Sequence, residues 1–354
     1  MREDSKMNID DLKTSDFDYE LPEELIAQTP LSDRKTSRMM VVHMDSGKLE
    51  HKHFYDIVDY LHEGDVVVRN NTRVIPARLY GTKEETGAHV EVLLLRQNGN
   101  DIWECLVGNA KVVKIGTVIS FHDGRLKAEC VEIGDKGIRK FKMIYQGIFN
   151  EILDQLGEVP LPPYIHEKLN DPERYQTVYS KIEGSAAAPT AGLHFTPEIF
   201  TKLREKGITI VDVTLHVGLG TFRPMDTENV KEHDMHSEVC MMSKEAADTL
   251  NQAKAEGRRI IAIGTTSVRT LESVWNTYGR FEECMLETKL FIYPGYQYHT
   301  IDAMLTNFHL PKSTLIMMIC ALAGYDRIMD AYKEAVKEKY RFFSFGDCMF
   351  LTHE

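Results

Sequence analysis

Between Gly64 and Tyr145 the chain carries a series of short β-prone runs with no helical periodicity between them, which confines this part to an all-β unit. Strands are predicted over 65–69, 74–80, 89–96, 102–107, 117–121, 126–133 and 138–145. Gly81, Gly87, Asn98-Gly99, Asp123-Gly124 and Gly134-Asp135 punctuate them. Short strands at this spacing, broken by turn-forming residues, build a small sandwich or barrel.

After Gly147 the pattern changes. Amphipathic helices are predicted over 148–156, 197–206, 244–256, 267–275, 314–323 and 327–339, and strands over 208–216, 260–263, 289–293, 304–307 and 343–345. Such alternation marks an α/β layer on a partly parallel sheet. The residues before Gly64 mix a short helix (23–28), a strand (38–43) and a helix (54–61), so they belong with that layer. The expected organisation is an α/β (mixed α+β) domain from 1–63 and 148–354, with a small all-β domain, 64–147, inserted in it.

The 354 residues suit about two domains. No apolar run approaches the roughly 18 residues needed to span a bilayer, and the first residues have no apolar core of a secretory signal. Six cysteines, none in a C-x-x-C pair, argue against a disulfide framework or a zinc site and for a reducing cytoplasm. The net charge of -12 is at first sight a poor match to nucleic acid. Yet residues 69–142 hold 13 lysines and arginines against 9 aspartates and glutamates, so the β unit is locally basic and suited to phosphate. A merely solvated charged sheet surface explains the same count.

Ligands in open α/β sheets gather at the carboxyl ends of strands, and four joins there are rich in polar residues and glycine. In residues 186–196, Ala-Ala-Ala-Pro-Thr-Ala-Gly-Leu-His-Phe-Thr, Thr196 is a good N-cap and Pro197 a good first helical residue. His194 then sits beside a positive helix end, which favours the neutral imidazole; packing beside a cap is the plain alternative. Pro189 and Gly192 shape the loop. Along 208–216, Asp212, Thr214 and His216 share one strand face that runs into Gly218, Gly220, Thr221 and Arg223, a glycine turn with a cation. In 261–272 the Thr265-Thr266-Ser267 cluster is placed to cap a helix and, with Arg269, to hold an anion. In 305–313, Asn307, His309 and Lys312 cluster at another strand end. His236 and Glu238 form a further His–carboxylate pair, without the spacing of a metal site. At the edge of the β unit, Asn71, Arg73 and Arg78 are placed to meet phosphate or a base edge.

Taken together these strings resemble one family. They are 186–196, Leu-His-Val-Gly-Leu-Gly-Thr-Phe-Arg-Pro (215–224), Met-His-Ser-Glu (235–238), Gly-Thr-Thr-Ser-Val-Arg (264–269), Thr-Asn-Phe-His-Leu-Pro-Lys-Ser (306–313) and Phe-Ser-Phe-Gly-Asp (343–347). The strings 17–22, 26–28, 71–78, 161–165 and 174–179 fit the same family, the S-adenosylmethionine:tRNA ribosyltransferase-isomerases of queuosine biosynthesis. Asn71 departs from it, since an aspartate is expected after Asn70.

The resemblance implies that the ribosyl part of S-adenosylmethionine moves onto the aminomethyl group of 7-aminomethyl-7-deazaguanine at the wobble position of tRNA. Adenine and methionine leave and epoxyqueuosine remains. S-adenosylmethionine is then a cosubstrate; no prosthetic group, metal or membrane is implied, and a cytoplasmic monomer is expected, its β unit a barrel. Proton removal beside the sulfonium and departure of adenine call for a base and an acid of near-neutral pKa, which histidine supplies. His194, His216 and His309 are assigned these transfers, with Glu238 as orienter. Pro189, Thr190, Gly192, Phe195, Gly218, Gly220, Thr221, Arg223, His236, Thr265, Thr266, Ser267, Arg269, Asn307 and Lys312 are assigned to substrate, and Asn71, Arg73 and Arg78 to tRNA. An S-adenosylmethionine-dependent tRNA methyltransferase and a non-catalytic RNA-binding protein are the alternatives.

Overall fold

A computed structural model describes residues 11–218, 225 and 227–353. In chain order the strands are β1 (Arg38–His43), β2 (Leu49–His53), β3 (Val66–Asn70), β4 (Thr72–Val74), β5 (Arg78–Lys83), β6 (His89–Gln97), β7 (Ile102–Val107), β8 (Val118–Phe121), β9 (Leu126–Ile133) and β10 (Ile138–Tyr145). There follow β11 (Ile182–Ser185), β12 (Thr209–His216), β13 (Glu238–Met242), β14 (Ile260–Ile263), β15 (Cys284–Thr288), β16 (Ala303–Asn307) and β17 (Cys348–Thr352). The helices are α1 (Ile57–Tyr60), α2 (Phe149–Leu156), α3 (Pro197–Glu205), α4 (Lys244–Ala255), α5 (Gly264–Tyr278), α6 (Thr314–Ala323) and α7 (Tyr325–Lys337).

A nine-stranded mixed sheet runs β15-β13-β12-β3-β14-β16-β17-β1-β2. Successive side chains of a strand point to opposite faces, and both faces of this sheet are covered. Met40, Val42, Val66, Val68 and Met304 face α4 to α7, while Met39, Val41, Val67, Ile261 and Leu305 face α1 and α3. Double coverage is why β14, β16 and β17 are apolar at nearly every position and buried throughout. Strands β12, β3, β14 and β16 are mutually parallel, so their carboxyl ends share one edge.

The β unit is a closed barrel in the order β10-β7-β6-β5-β8-β9, all antiparallel. Its strands alternate buried and partly buried residues, as in β7, because one face fills the interior and the other faces outward.

Several expectations are corrected. The run at 65–69 is not a barrel strand: β3 lies centrally in the large sheet, where its valines are covered on both sides. The run at 74–80 divides into β4, paired with β11, and β5, which starts the barrel at Arg78. Helix α2, expected with the α/β layer, puts Ile152 and Leu153 into the barrel's apolar cluster. The strands expected at 289–293 and 343–345 form instead at β15 and β17, where partners are available. Residues 23–25 and 54–56 form 3-10 turns, the latter leading into the short α1. Among the described residues no helix is long and apolar enough to cross a membrane.

Candidate active site

The carboxyl ends of β12, β14 and β16 open onto a cleft lined by Pro189, Thr190, Val217, Gly264, Thr265, Thr266, Thr306, Asn307 and His309, with Tyr164, Phe343 and Ser344 opposite. It encloses about 700 Å³ of space between protein atoms, its open mouth included. The position obeys the rule that open α/β sheets bind ligands beyond the carboxyl ends of their strands.

His309 is held by its backbone. Its N–H donates to the Tyr332 hydroxyl at 2.8 Å, and the Tyr19 hydroxyl donates to its carbonyl. Its Nε2 lies 2.8 Å from the Thr306 hydroxyl. Burial lowers the His309 pKa to about 3, so the imidazole is neutral.

His194 stands behind the cleft rather than in it. It is wholly buried on the 3-10 turn Thr190–His194. Nδ1 lies 2.7 Å from the Ser37 hydroxyl and Nε2 2.8 Å from Asn307 Oδ1. Asn307 Nδ2 faces the Phe343 and Ser344 carbonyls, so its Oδ1 is the acceptor and His194 carries its proton on Nε2. Burial, then the Arg34 charge, pushes its pKa far down. The neutral state expected at the helix end is present, but its first cause is desolvation. The cap itself is as expected: Thr196 accepts from Ile199 N and Pro197 opens α3.

His216 does not join them. The polar face of β12 is consumed in one row of contacts: Asp212 with Arg69 at 2.6 Å, Thr214 Oγ1 to Asn71 Oδ1 at 2.6 Å, and His216 Nδ1 with Thr72 Oγ1 at 2.8 Å. Val217, the next residue, turns toward the cleft instead. The three histidines therefore do not converge, and Glu238 orients none of them. Glu238 accepts from Arg269 Nη1, Gly218 N (2.9 Å) and His236 Nε2 (3.2 Å). Burial works to raise its pKa, but the charges of Arg269 and His236 overcome it and hold the carboxyl at about 2.

Helix α5 begins at Gly264, whose φ of +80° suits glycine, and its N-cap residue, Ile263, offers no side-chain cap. Thr265, Thr266 and Ser267 thus form the first turn rather than a cap. The Ser267 hydroxyl is spent on the Ile263 carbonyl at 2.7 Å, whereas the buried Thr266 hydroxyl lines the cleft with no hydrogen-bond partner among the described residues. Arg269, one turn further, has two buried nitrogens, Nε and Nη2, without partners among the described residues.

Other assigned residues do not line this cleft. Phe195 stacks on Phe200 in the core. Gly192 leaves room for the Tyr179 hydroxyl, which would lie 2.0 Å from an added Cβ. Lys312 pairs with Asp18 at 2.9 Å, and Asn71 is buried between strands. Arg73 and Arg78 line a second groove, paired with Glu173 and Glu91. Gly220, Thr221 and Arg223 lie outside the described residues. Sequence reasoning missed Tyr164, Val217, Thr306, Phe343 and Ser344 as cleft residues, although 161–165 and 343–347 were among the recognised strings.

The sequence matches the queuosine biosynthesis protein family over residues 14–351. The chain belongs to that family. Among solved structures it is similar to an S-adenosylmethionine tRNA ribosyltransferase from Thermotoga maritima. The two are 40% identical, with 95% of this chain and 100% of that one covered and a TM-score of 0.56. The family assignment agrees with the resemblance carried by the strings, and the barrel beside a helix-covered sheet is the fold it implied.

Proposed function

We propose that this queuosine biosynthesis family member is a transferase and isomerase. It moves the ribosyl part of S-adenosylmethionine onto the aminomethyl group of 7-aminomethyl-7-deazaguanine in the tRNA wobble position, leaving epoxyqueuosine, adenine and methionine. The observation that carries this reading is the pairing, in one cleft, of a neutral histidine, His309, with the open first turn of α5. The backbone N–H groups of a helix's first turn and the Thr266 hydroxyl, without a partner among the described residues, suit the methionine carboxylate. His309 is left to accept a proton or a hydrogen bond from the ribosyl part. Neutral at rest, it can donate a proton to the departing adenine only after it has taken one up. His194 acts through Asn307, and Glu238 holds Arg269 and the Gly218 N–H, the latter next to the cleft residue Val217. The reading carries with it a cytoplasmic, monomeric protein with tRNA and S-adenosylmethionine as substrates.

The test is to incubate the protein with S-adenosylmethionine and tRNA bearing the aminomethyl base, then to run mass spectrometry on both fractions. Adenine and methionine together with a heavier tRNA nucleoside support ribosyl transfer. S-adenosylhomocysteine would mean methyl transfer, and tRNA retention without turnover would mean binding alone.

A further inference from the structure

The locally basic barrel is an obvious surface for RNA, but its cations are largely spent. Arg78 pairs with Glu91, Lys83 with Glu85, Arg125 with Asp123, Lys127 with Glu84, Lys140 with Glu132, and Arg96 with Glu287 of the large sheet. A different place in the fold has the opposite character. Arg34, Arg38 and Arg341 surround a single carboxylate, Asp347, Arg174 is a charge neighbour of Arg34, and none of the four has a carboxylate salt bridge among the described residues.

Each guanidinium is held by a backbone carbonyl: Arg34 by Phe345, Arg38 by Glu338, Arg174 by Leu31 and Arg341 by Thr29. Carbonyls fix a guanidinium's orientation without neutralising its charge. The one nearby carboxylate is also occupied, since Asp347 accepts from the backbone N–H groups of Arg38 and Arg341, each at 2.8 Å, and is buried. The result is three fixed cations around one anion, Arg38 lying over the Tyr340 ring at 3.7 Å, with Arg174 beside Arg34 as a fourth. Donors remain over as well. Among the described residues, Arg34 is buried with Nε and Nη2 unpartnered, and Arg341 has Nη1 unpartnered. Arg38, Arg174 and Arg341 are half-buried, so they reach both the interior and solvent.

We propose that Arg38, Arg174 and Arg341, backed by the buried Arg34, form a phosphodiester-binding site that grips the RNA backbone beside the cleft. The inference rests on the tRNA reading above and adds the place where the backbone is held. Rigid, multidentate guanidiniums are the side chains suited to phosphate oxygens. On a chain of net charge -12, an unneutralised cluster is what a polyanion needs. Its location also fits. Phe345, whose carbonyl holds Arg34, directly follows Ser344 in the cleft wall, and the 3-10 turn Arg34–Thr36 leads into Ser37, the partner of His194.

The test measures tRNA affinity against salt concentration for the wild-type chain, for Arg174→Gln with Arg341→Gln, and for Arg174→Lys with Arg341→Lys. Loss of two phosphate contacts lowers the slope of log affinity on log salt by about 1.4 to 1.8 in the glutamine pair. The lysine pair keeps the wild-type slope, and S-adenosylmethionine affinity is the same in all three. A folded glutamine pair with the wild-type slope overturns the proposal. Should that pair not melt cooperatively, the single glutamine variants answer the same question with a drop of about 0.7 to 0.9 each. A wild-type chain that holds no tRNA overturns the tRNA reading and this site with it, whereas wild-type binding with unaltered variant slopes overturns the site alone.

Discussion

His194 Nε2 lies 2.8 Å from Asn307 Oδ1, and this bond from behind the cleft decides which way the Asn307 amide points. With its oxygen taken by the imidazole, Asn307 directs Nδ2 to the Phe343 and Ser344 carbonyls at 3.1 and 3.3 Å and ties two walls of the cleft together. His194→Ala leaves the buried Asn307 Oδ1 without its donor, while the Ser37 hydroxyl keeps the Arg34 carbonyl. A buried group left unpaired costs about 1–3 kcal/mol, and the cavity adds to that. Urea unfolding should show the loss, and His194→Gln, which keeps a donor, should lose less. Equal stability of the alanine variant and wild type would remove this role.

His309 should behave differently because it faces the ligand. His309→Gln is expected to lower turnover by about 10²–10⁴-fold with S-adenosylmethionine and tRNA affinities kept, the range for loss of a proton-transfer group. Steady-state kinetics beside equilibrium binding separates the cases. If affinity falls as far as turnover, His309 shapes the cleft and transfers no proton.

Acid should weaken the fold in two stages. His194, His216 and His309 all have pKa values lowered by burial, so the unfolded chain binds protons that the folded chain refuses. Stability is then full above the unfolded histidine pKa of about 6.5 and falls as pH drops below it, by up to about 1.4 kcal/mol per pH unit for each such histidine. Glu238, held at about 2, adds stability that is full above the ordinary glutamate range and is lost as pH falls below it, when the unfolded carboxyl takes up a proton. Denaturant titrations at pH 7.5, 6.5 and 5.5 test the first stage. His309→Gln should flatten that pH dependence, and an unchanged slope in the variant would count against it.

The Glu238–Arg269 pair is buried on both sides, with 1% and 4% of the side chains exposed. Removing one member of such a pair leaves the other charge uncompensated, at a cost of about 3–5 kcal/mol. Glu238→Gln should therefore unfold at clearly lower urea than wild type. A shift within about 0.5 kcal/mol, as for an exposed substitution, would show that Arg269 finds another anion.

Gly192 is set by a neighbour and not by a turn. A Cβ there would meet the Tyr179 hydroxyl at 2.0 Å and Thr177 Cγ2 at 2.9 Å. Gly192→Ala should cost about 1–3 kcal/mol, the usual range for overpacking. Tyr179→Phe in the same chain should recover part of it, and a double-mutant cycle measures how much. Strict additivity would mean that the hydroxyl is not the obstacle.

Some of the site was legible because its signals are local. Thr196-Pro197 announces a helix start whatever surrounds it, and strand ends rich in glycine and hydroxyl residues announced the cleft edge. Tyr164 and Ser344 stayed hidden because they reach the cleft from segments far away in sequence, joined by a 2.6 Å bond between their hydroxyls. Strand β3 was misassigned for a related reason. A run of valines after a turn looks the same whether its neighbours form a barrel or an α/β sheet.

The sequence by itself determined the periodicities, the helix caps, the glycine-rich joins and, through its strings of residues, the family. Those properties rest on each residue's own geometry or on neighbours a few positions away. Only the tertiary structure decided that His309 enters the cleft, that His194 supports it through Asn307 and that His216 is spent on Thr72. Which neighbour a side chain meets depends on strand order and on which face each residue takes. Burial, which makes these histidines neutral, is a property of the assembled layers.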